Sequence, residues 1–261
     1  MEKDYKDPLC PADISPIMGR AIRLVRPLKT SSTISLPITG EGRGEGLLIL
    51  DNLDAITSEE LEAAIASLPS WRREKALRFK HRQGRLECAF SYLLLCQALR
   101  ETYGITQQPS FSLGAHGKPE LSFAQSGFPA LSPSSPPSSP LGGIRGGLHF
   151  NLSHCRSALA CVVSSRPVGI DVECIGRYSE SLARYVLSPE EFALVSSAPD
   201  PQIPFTRLWT QKEAIVKLTG RGIDDDLPNL LFKYNNVSLH TEEHIDKGYI
   251  LTVATLPPSS L

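Results

Sequence analysis

The chain has 261 residues, 41% of them hydrophobic and 21% charged, and a formal net charge of −1. That is the composition of an ordinary folded protein with a sizeable core. Capture of nucleic acid or an anionic membrane by global charge is excluded, and neither is expected as a partner.

The amino terminus reads MEKDYKDPLCPAD and carries no apolar run of signal-peptide length. No stretch of the sequence is apolar for long enough to cross a bilayer, so a cytoplasmic protein is expected. Six cysteines occur, at 10, 88, 96, 155, 161 and 174, and none forms a C-x-x-C pair. They read as small apolar fillers rather than as a disulfide framework or a zinc site.

Residues 1–45 show no helical or strand period and contain GEGRGEG, which predicts a flexible tail. Order is expected from Gly46-Leu47-Leu48-Ile49-Leu50, a buried strand. Ser58-Glu59-Glu60-Leu61 follows as a helix start capped by the serine. Trp71 to Leu99 reads as a long helical region interrupted near Gly84. Phe111-Ser112-Leu113 reads as a short strand, with a turn over Gly114 to Pro119.

Proline and serine are too dense over residues 124–147 to build a core, which marks an insertion between strands. Strands are expected at Leu148 to Leu152, Ala158 to Val163 and Val168 to Glu173. Ser188-Pro189-Glu190-Glu191 opens a helix with a serine cap and proline in the first position. Phe205 to Thr219 reads as a further helix stopped by Gly220 and Gly222. Phe232 to Leu239 and Tyr249 to Val253 close the chain as a hairpin. A strand, a Ser-led acidic helix start and a basic helix occur in that order from 47 and again from 168. The fold class is therefore α+β in two similar halves, at 46–165 and 166–257, with a cleft between them.

Five segments carry residues suited to chemistry. In Val168-Gly169-Ile170-Asp171-Val172-Glu173 the strand alternation turns Val168, Ile170 and Val172 to the core and Asp171 and Glu173 to the other face. Two carboxylates there suit one hard cation, although a solvated acidic strand face has the same pattern. On the helix after Trp209, the residues Trp209, Glu213 and Lys217 form an i, i+4, i+8 row, which is equally the spacing of a surface ion pair. Phe150-Asn151-Leu152-Ser153-His154-Cys155 gathers hydrogen-bonding groups at a strand end. Gly117-Lys118-Pro119 is a glycine-led turn with a cation, but no Walker pattern surrounds it. The segment from Trp71 to Arg85 is densely basic.

In this order, the basic helix from Trp71, G-K-P at 117–119, F-N-L-S-H at 150–154, G-I-D-V-E at 169–173 and W-T-Q-K-E-A-x-x-K-x-x-G-x-G at 209–222 resemble the 4′-phosphopantetheinyl transferases. The likeness is to the larger class, related to the surfactin-synthetase-activating enzymes. It spans about 71 to 222.

It implies two α/β halves related by a pseudo-twofold axis, with coenzyme A as substrate in the cleft. Asp171, Glu173 and Glu213 would hold Mg2+, and Glu213 would take the proton of the acceptor serine. Lys217 and His154 would bind the pyrophosphate or 3′-phosphate, Arg72 and Lys75 the adenosine phosphates, and Gly117, Lys118, Pro119 and Ser153 the nucleotide. The protein partner would be an acidic acyl or peptidyl carrier protein, met by a monomer. The family often has serine after the histidine, where this chain has Cys155. Two other readings share these acids: a different magnesium-dependent phosphoryl or phosphodiester enzyme, and a non-catalytic protein that binds coenzyme A or a carrier.

Overall fold

A computed structural model describes residues 22–23, 45–113, 119–122, 147–220 and 226–257. The chain runs β1 (Ile22–Arg23), β2 (Gly46–Asp51), α1 (Ser58–Ser67), α2 (Ser70–Arg78), α3 (Arg82–Tyr103), β3 (Ser110–Leu113) and β4 (Pro119–Ser122). It continues with β5 (His149–His154), β6 (Ala158–Ser164), β7 (Val168–Cys174), α4 (Glu180–Val186), α5 (Pro189–Ser196) and α6 (Gln202–Thr219). α7 (Leu230–Lys233), β8 (Ser238–His244) and β9 (Tyr249–Thr255) complete it. Helices combine with antiparallel sheets, as an α+β chain requires. One sheet has the order β1-β2-β6-β5, a second has β7-β9-β8, and β3 pairs with β4.

Alternation along the strands builds two cores. In β2, Leu48 and Leu50 pack with Leu159, Cys161 and Val163 of β6 against α1–α3. Leu47 and Ile49 turn the other way and pack with Ala158, Ala160 and Val162 against Val168, Ile170 and Val172 of β7 and Tyr249, Leu251 and Val253 of β9. The two sheets therefore face one another across an apolar layer. β2 and β6 are buried on both faces, which is why their sequences read as apolar runs. On the outer face of the second sheet, Ala214, Ile215 and Leu218 of α6 pack with Ala254.

Several element boundaries differ from the sequence reading, each for a local reason. α1 is capped by Thr57 rather than Ser58. The Thr57 hydroxyl accepts the Glu60 amide, and the Glu60 carboxylate accepts the Thr57 amide. The break in the basic helical region falls at residues 79–81 and not at Gly84, which lies inside α3. Phe79 folds back over that glycine, and a Cβ on Gly84 would lie 2.6 Å from the ring. The glycine thus permits close packing rather than stopping the helix.

α6 begins three residues before Phe205 because Asp200 Oδ1 accepts the Gln202 amide at 3.0 Å. Phe232 belongs to the short α7, and the last hairpin starts only at Ser238. Asp226 there accepts Asn229 and Lys233, tying the turn into a helical conformation. α4 was not read from the sequence, although Ser179 caps it in the ordinary way. Pro119 opens β4 instead of ending a turn. Within the stretch read as a tail, Ile22–Arg23 pair with Ile49 and Leu50. The predicted turn at 114–118, most of the insertion at 124–147 and the stop at Gly222 lie outside the described residues.

Candidate functional site at the junction of two sheet edges

β5 ends one sheet and β7 begins the other. Side chains join these edges where a backbone ladder is missing. Asn151 Oδ1 accepts the Ile170 amide at 3.3 Å, and Ser153 Oγ accepts the Val172 amide at 3.1 Å. Both side chains are buried, as unpaired strand amides require. The same alternation that sends Ile170 and Val172 into the core sets Asp171 and Glu173 on the opposite face, beneath α6.

α6 comes close because residue 169 is glycine. A Cβ there would collide with the Ala214 carbonyl oxygen and lie 2.5 Å from the Leu218 amide nitrogen. One turn of α6 is thereby pressed onto β7, and Glu213 and Lys217 reach the acids. Lys217 Nζ donates to Asp171 Oδ1 at 2.6 Å and to Ser153 Oγ at 2.8 Å, and Ser153 Oγ donates to Asp171 Oδ1 at 2.9 Å. Trp209 Nε1 donates to Glu173 Oε1 at 3.2 Å, and Arg177 holds Glu173 Oε2 at 3.0 Å.

Glu213 lies within electrostatic reach of Asp171, Glu173 and Lys217. Burial pushes its carboxyl above the usual range, and the charges of Asp171 and Glu173 push the same way against the pull of Lys217. Asp171, Glu173 and Glu213 carry three carboxylates against the Lys217 ammonium and the Arg177 guanidinium, which leaves one negative charge in excess. Asp171 shows where it concentrates. Its Oδ2 is buried with no hydrogen-bond partner among the described residues. An orphaned buried carboxylate oxygen costs about 1–3 kcal/mol or more, and a hard cation beside it removes that cost. The donors are all oxygen, the type a magnesium ion takes, although among the described residues no three such side chains are gathered closely enough to hold an ion as they stand.

The other residues singled out by sequence that the structure describes have different surroundings. His154, at the end of β5, is exposed, with Nδ1 3.7 Å from Glu87 Oε1 of α3. Arg72 spends its guanidinium on the Cys88 carbonyl, at 2.9 and 3.1 Å, whereas Lys75 projects into solvent. Pro119 is exposed at the start of β4. Gly117 and Lys118 lie outside the described residues.

α2, β3 and β5 are linked by an aromatic chain in which Trp71 meets Phe111 at 6.1 Å and Phe111 meets Phe150 at 5.7 Å. β3 thus stands between the basic helix and the strand that carries Ser153 and His154. Sequence reasoning missed the positioning work of Asn151, Trp209 and Arg177. Trp209 had left a signal in its i, i+4 spacing to Glu213, and Asn151 in the hydrogen-bonding run at 150–155. It also missed that Lys212, in the middle of the same motif, is wholly buried and binds Glu191 Oε2 at 2.8 Å and the carbonyls of Leu227 and Pro228.

Comparison with known proteins converges on the same segment. Residues 167–253, which run from β7 to β9, match the family model described as the 4′-phosphopantetheinyl transferase superfamily. The chain is 29% identical over 171 residues to a 4′-phosphopantetheinyl transferase of Bacillus subtilis, covering 64% of this chain and 67% of that protein. It is 26% identical over 208 residues to the 4′-phosphopantetheinyl transferase Sfp of Bacillus subtilis strain 168, covering 77% and 84%. Identity rises to 46% over 82 residues with the 4′-phosphopantetheinyl transferase HetI of Nostoc sp., covering 30% and 35%. On these matches the chain is similar to the 4′-phosphopantetheinyl transferase superfamily, and to the larger class that includes Sfp.

Proposed function

We propose that this chain transfers the 4′-phosphopantetheine group of coenzyme A to a serine of an acyl or peptidyl carrier protein, releasing adenosine 3′,5′-bisphosphate. The observation that carries the reading is that Asp171 and Glu173 of β7 act electrostatically on Glu213 of α6, beside an Asp171 oxygen that is buried with no hydrogen-bond partner among the described residues. Asp171, Glu173 and Glu213 are the residues that would hold Mg2+. When bound, the ion supplies charge neutralisation across the pyrophosphate.

The chain's own groups supply the rest. Glu213, whose carboxyl is raised by burial, is suited to accept the proton of the attacking serine. Lys217 brings an ammonium to the same seam, where charge develops on the leaving phosphate. Ser153 and the Asn151 bridge fix β5 against β7, so that nucleophile and leaving group meet a rigid frame. His154, Lys75, Gly117, Lys118 and Pro119 are assigned to coenzyme A. Arg72 is assigned there too, on condition that its guanidinium leaves the Cys88 carbonyl.

The helix-on-sheet, sheet-on-sheet, sheet-on-helix layering supports two halves, 46–165 and 166–257, related by a pseudo-twofold axis. No helix among the described residues is long and apolar enough to cross a membrane, and we assign the protein to the cytoplasm as a monomer. The basic run from Arg72 to Arg85 supports an acidic carrier as partner. The test is incubation with coenzyme A, magnesium and a panel of apo-carrier proteins, read by intact mass. A mass gain of one phosphopantetheine on a carrier serine is expected. Nucleotide hydrolysis with every carrier unmodified, or coenzyme A binding without transfer, overturns the reading.

A further inference from the structure

The seam between β5 and β7 runs one step past the site. Asn151 meets Ile170 and Ser153 meets Val172, each at a separation of 19 residues along the chain. The same offset sets Cys155 opposite Cys174. Both are free thiols that pack on the apolar cluster between the sheets, and the neighbouring Cys174 adds to the burial that pushes the Cys155 thiol up. Ser157 Oγ lies 3.6 Å from Cys174 Sγ, and the Cys155 amide is fixed on the Ala158 carbonyl at 2.9 Å.

β5 and β7 lie in different sheets, and short side chains rather than a backbone ladder span the gap, Asn151 and Ser153 reaching the facing amides at 3.3 and 3.1 Å. Each cysteine also directly follows a candidate site residue, Cys155 after His154 and Cys174 after Glu173. Cys155 is buried and Cys174 only half-buried, so Cys174 is the sulfur a small oxidant reaches first.

We propose that Cys155 and Cys174 form an oxidisable dithiol, closed to a disulfide by hydroperoxides, that clamps the ends of β5 and β7 and slows the transfer reaction. The slowing rests on the proposed function; the modification site does not. In the first step Cys174 sulfur attacks the peroxide, the O–O bond breaks, and a sulfenic acid and an alcohol (or water) form, the thiol proton passing to the leaving oxygen. In the second, Cys155 sulfur attacks the sulfenic sulfur, the S–O bond breaks and water leaves with the second thiol proton. Two electrons pass from the sulfur pair to the peroxide. Drawing the two sulfurs to bonding distance pulls the adjoining Glu173 and His154 with them. Misplacements of about 1 Å in such sites cost up to about 10²-fold in rate.

The full chain is to be treated with a slight excess of hydrogen peroxide, alkylated and digested with trypsin without reduction. Cleavage after Arg156 separates Cys155 from Cys174. Fragmentation then distinguishes Cys174 from Cys161 in the downstream peptide. A Cys155–Cys174 linked peptide is expected, with loss of two alkylatable thiols that dithiothreitol restores and that Cys174→Ser abolishes. Transfer by the oxidised chain is expected to fall at least about tenfold and to recover on reduction, with Cys174→Ser unaffected by peroxide. Both thiols alkylating as in the untreated chain, or pairing elsewhere, overturns the dithiol. A linked chain with undiminished transfer overturns the clamp. A reduced chain that modifies no carrier counts against the proposed function alone, and the peptide map still decides the dithiol.

Discussion

Two lysines five residues apart on α6 meet opposite fates. Lys212 is 0% exposed, and its three N–H donors are matched by three oxygens: Glu191 Oε2, the Leu227 carbonyl and the Pro228 carbonyl. Burial pulls its pKa down, and Glu191 opposes that pull. Lys217 sits at the β5–β7 seam on Asp171 and Ser153, and its partner Asp171 keeps one oxygen buried and unmatched. The first arrangement is complete and joins α6 to α5 and to the turn at 227–229. The second is incomplete in a way that a cation would complete. Within one motif, residue type does not separate framework from chemistry, whereas the balance of donors and acceptors does.

That contrast breaks if the two sites respond alike to mutation. Lys212→Met leaves Glu191 and two carbonyls without their cation and is expected to lower stability by about 3–5 kcal/mol, read by urea unfolding. Transfer per folded molecule at low temperature should stay near the parent's, and a stable but inactive variant would move Lys212 into the site.

Asp171→Asn should behave in the reverse way. Transfer falls roughly 10²–10³-fold while the metal-free melting temperature holds, because the change removes like charge beside Glu173 and Glu213. Magnesium should raise the melting temperature of the parent and not of this variant, which separates loss of the ion from loss of chemistry.

Gly169→Ala probes the contact that brings the halves of the site together. Its Cβ meets backbone of α6, which cannot swing aside as a side chain would. A cost of about 1–3 kcal/mol is expected, with transfer falling more than stability alone explains.

Much of this was legible in the sequence where a local rule decides the outcome. Strand alternation placed Val168, Ile170 and Val172 in the core and Asp171 and Glu173 opposite them. The Ser188 cap with Pro189 and the Gly220 stop set helix ends as read. Where the deciding contact is distant in sequence, the reading failed. Phe79 folding over Gly84 turned an expected break into a helix interior. Arg72, which the resemblance assigns to the adenosine phosphates, also donates to a carbonyl 16 residues away, a contact that no local rule foretells. Nothing local distinguishes Lys212 from Lys217, because Glu191 and the carbonyls of 227 and 228 reach Lys212 from other elements. The Asn151 bridge was equally hidden, since an asparagine on a strand names no partner until a second edge strand lies against it.

The smallest expected effect extends the comparison to an exposed cluster. On β8 the Glu242 carboxylate spans His240 Nε2 at 3.2 Å and His244 Nε2 at 3.1 Å, and His244 stacks on Tyr249 with ring centres 4.6 Å apart. Across the sheet, Lys247 and the Tyr249 hydroxyl converge on Asp51. The hydrogen bond from Glu242 raises His240 above its ordinary 6.5, and the hydrogen bonds from His240 and His244 lower Glu242 below its ordinary 4.5. A raised histidine contributes stability that is full below 6.5 and lost as pH climbs through its folded value. A lowered carboxylate contributes stability that is present above 4.5 and lost as pH falls through its folded value. The cluster therefore favours the folded state most between those limits. His240 is partly exposed, so solvent screening keeps the effect near that of a surface pair, about 1–2 °C in melting temperature. His240→Gln should flatten the decline above pH 6.5 and leave transfer unchanged. If it instead altered the pH profile of transfer, the exposed cluster would be coupled to the seam, and the separation between completed framework and unsatisfied site would no longer hold.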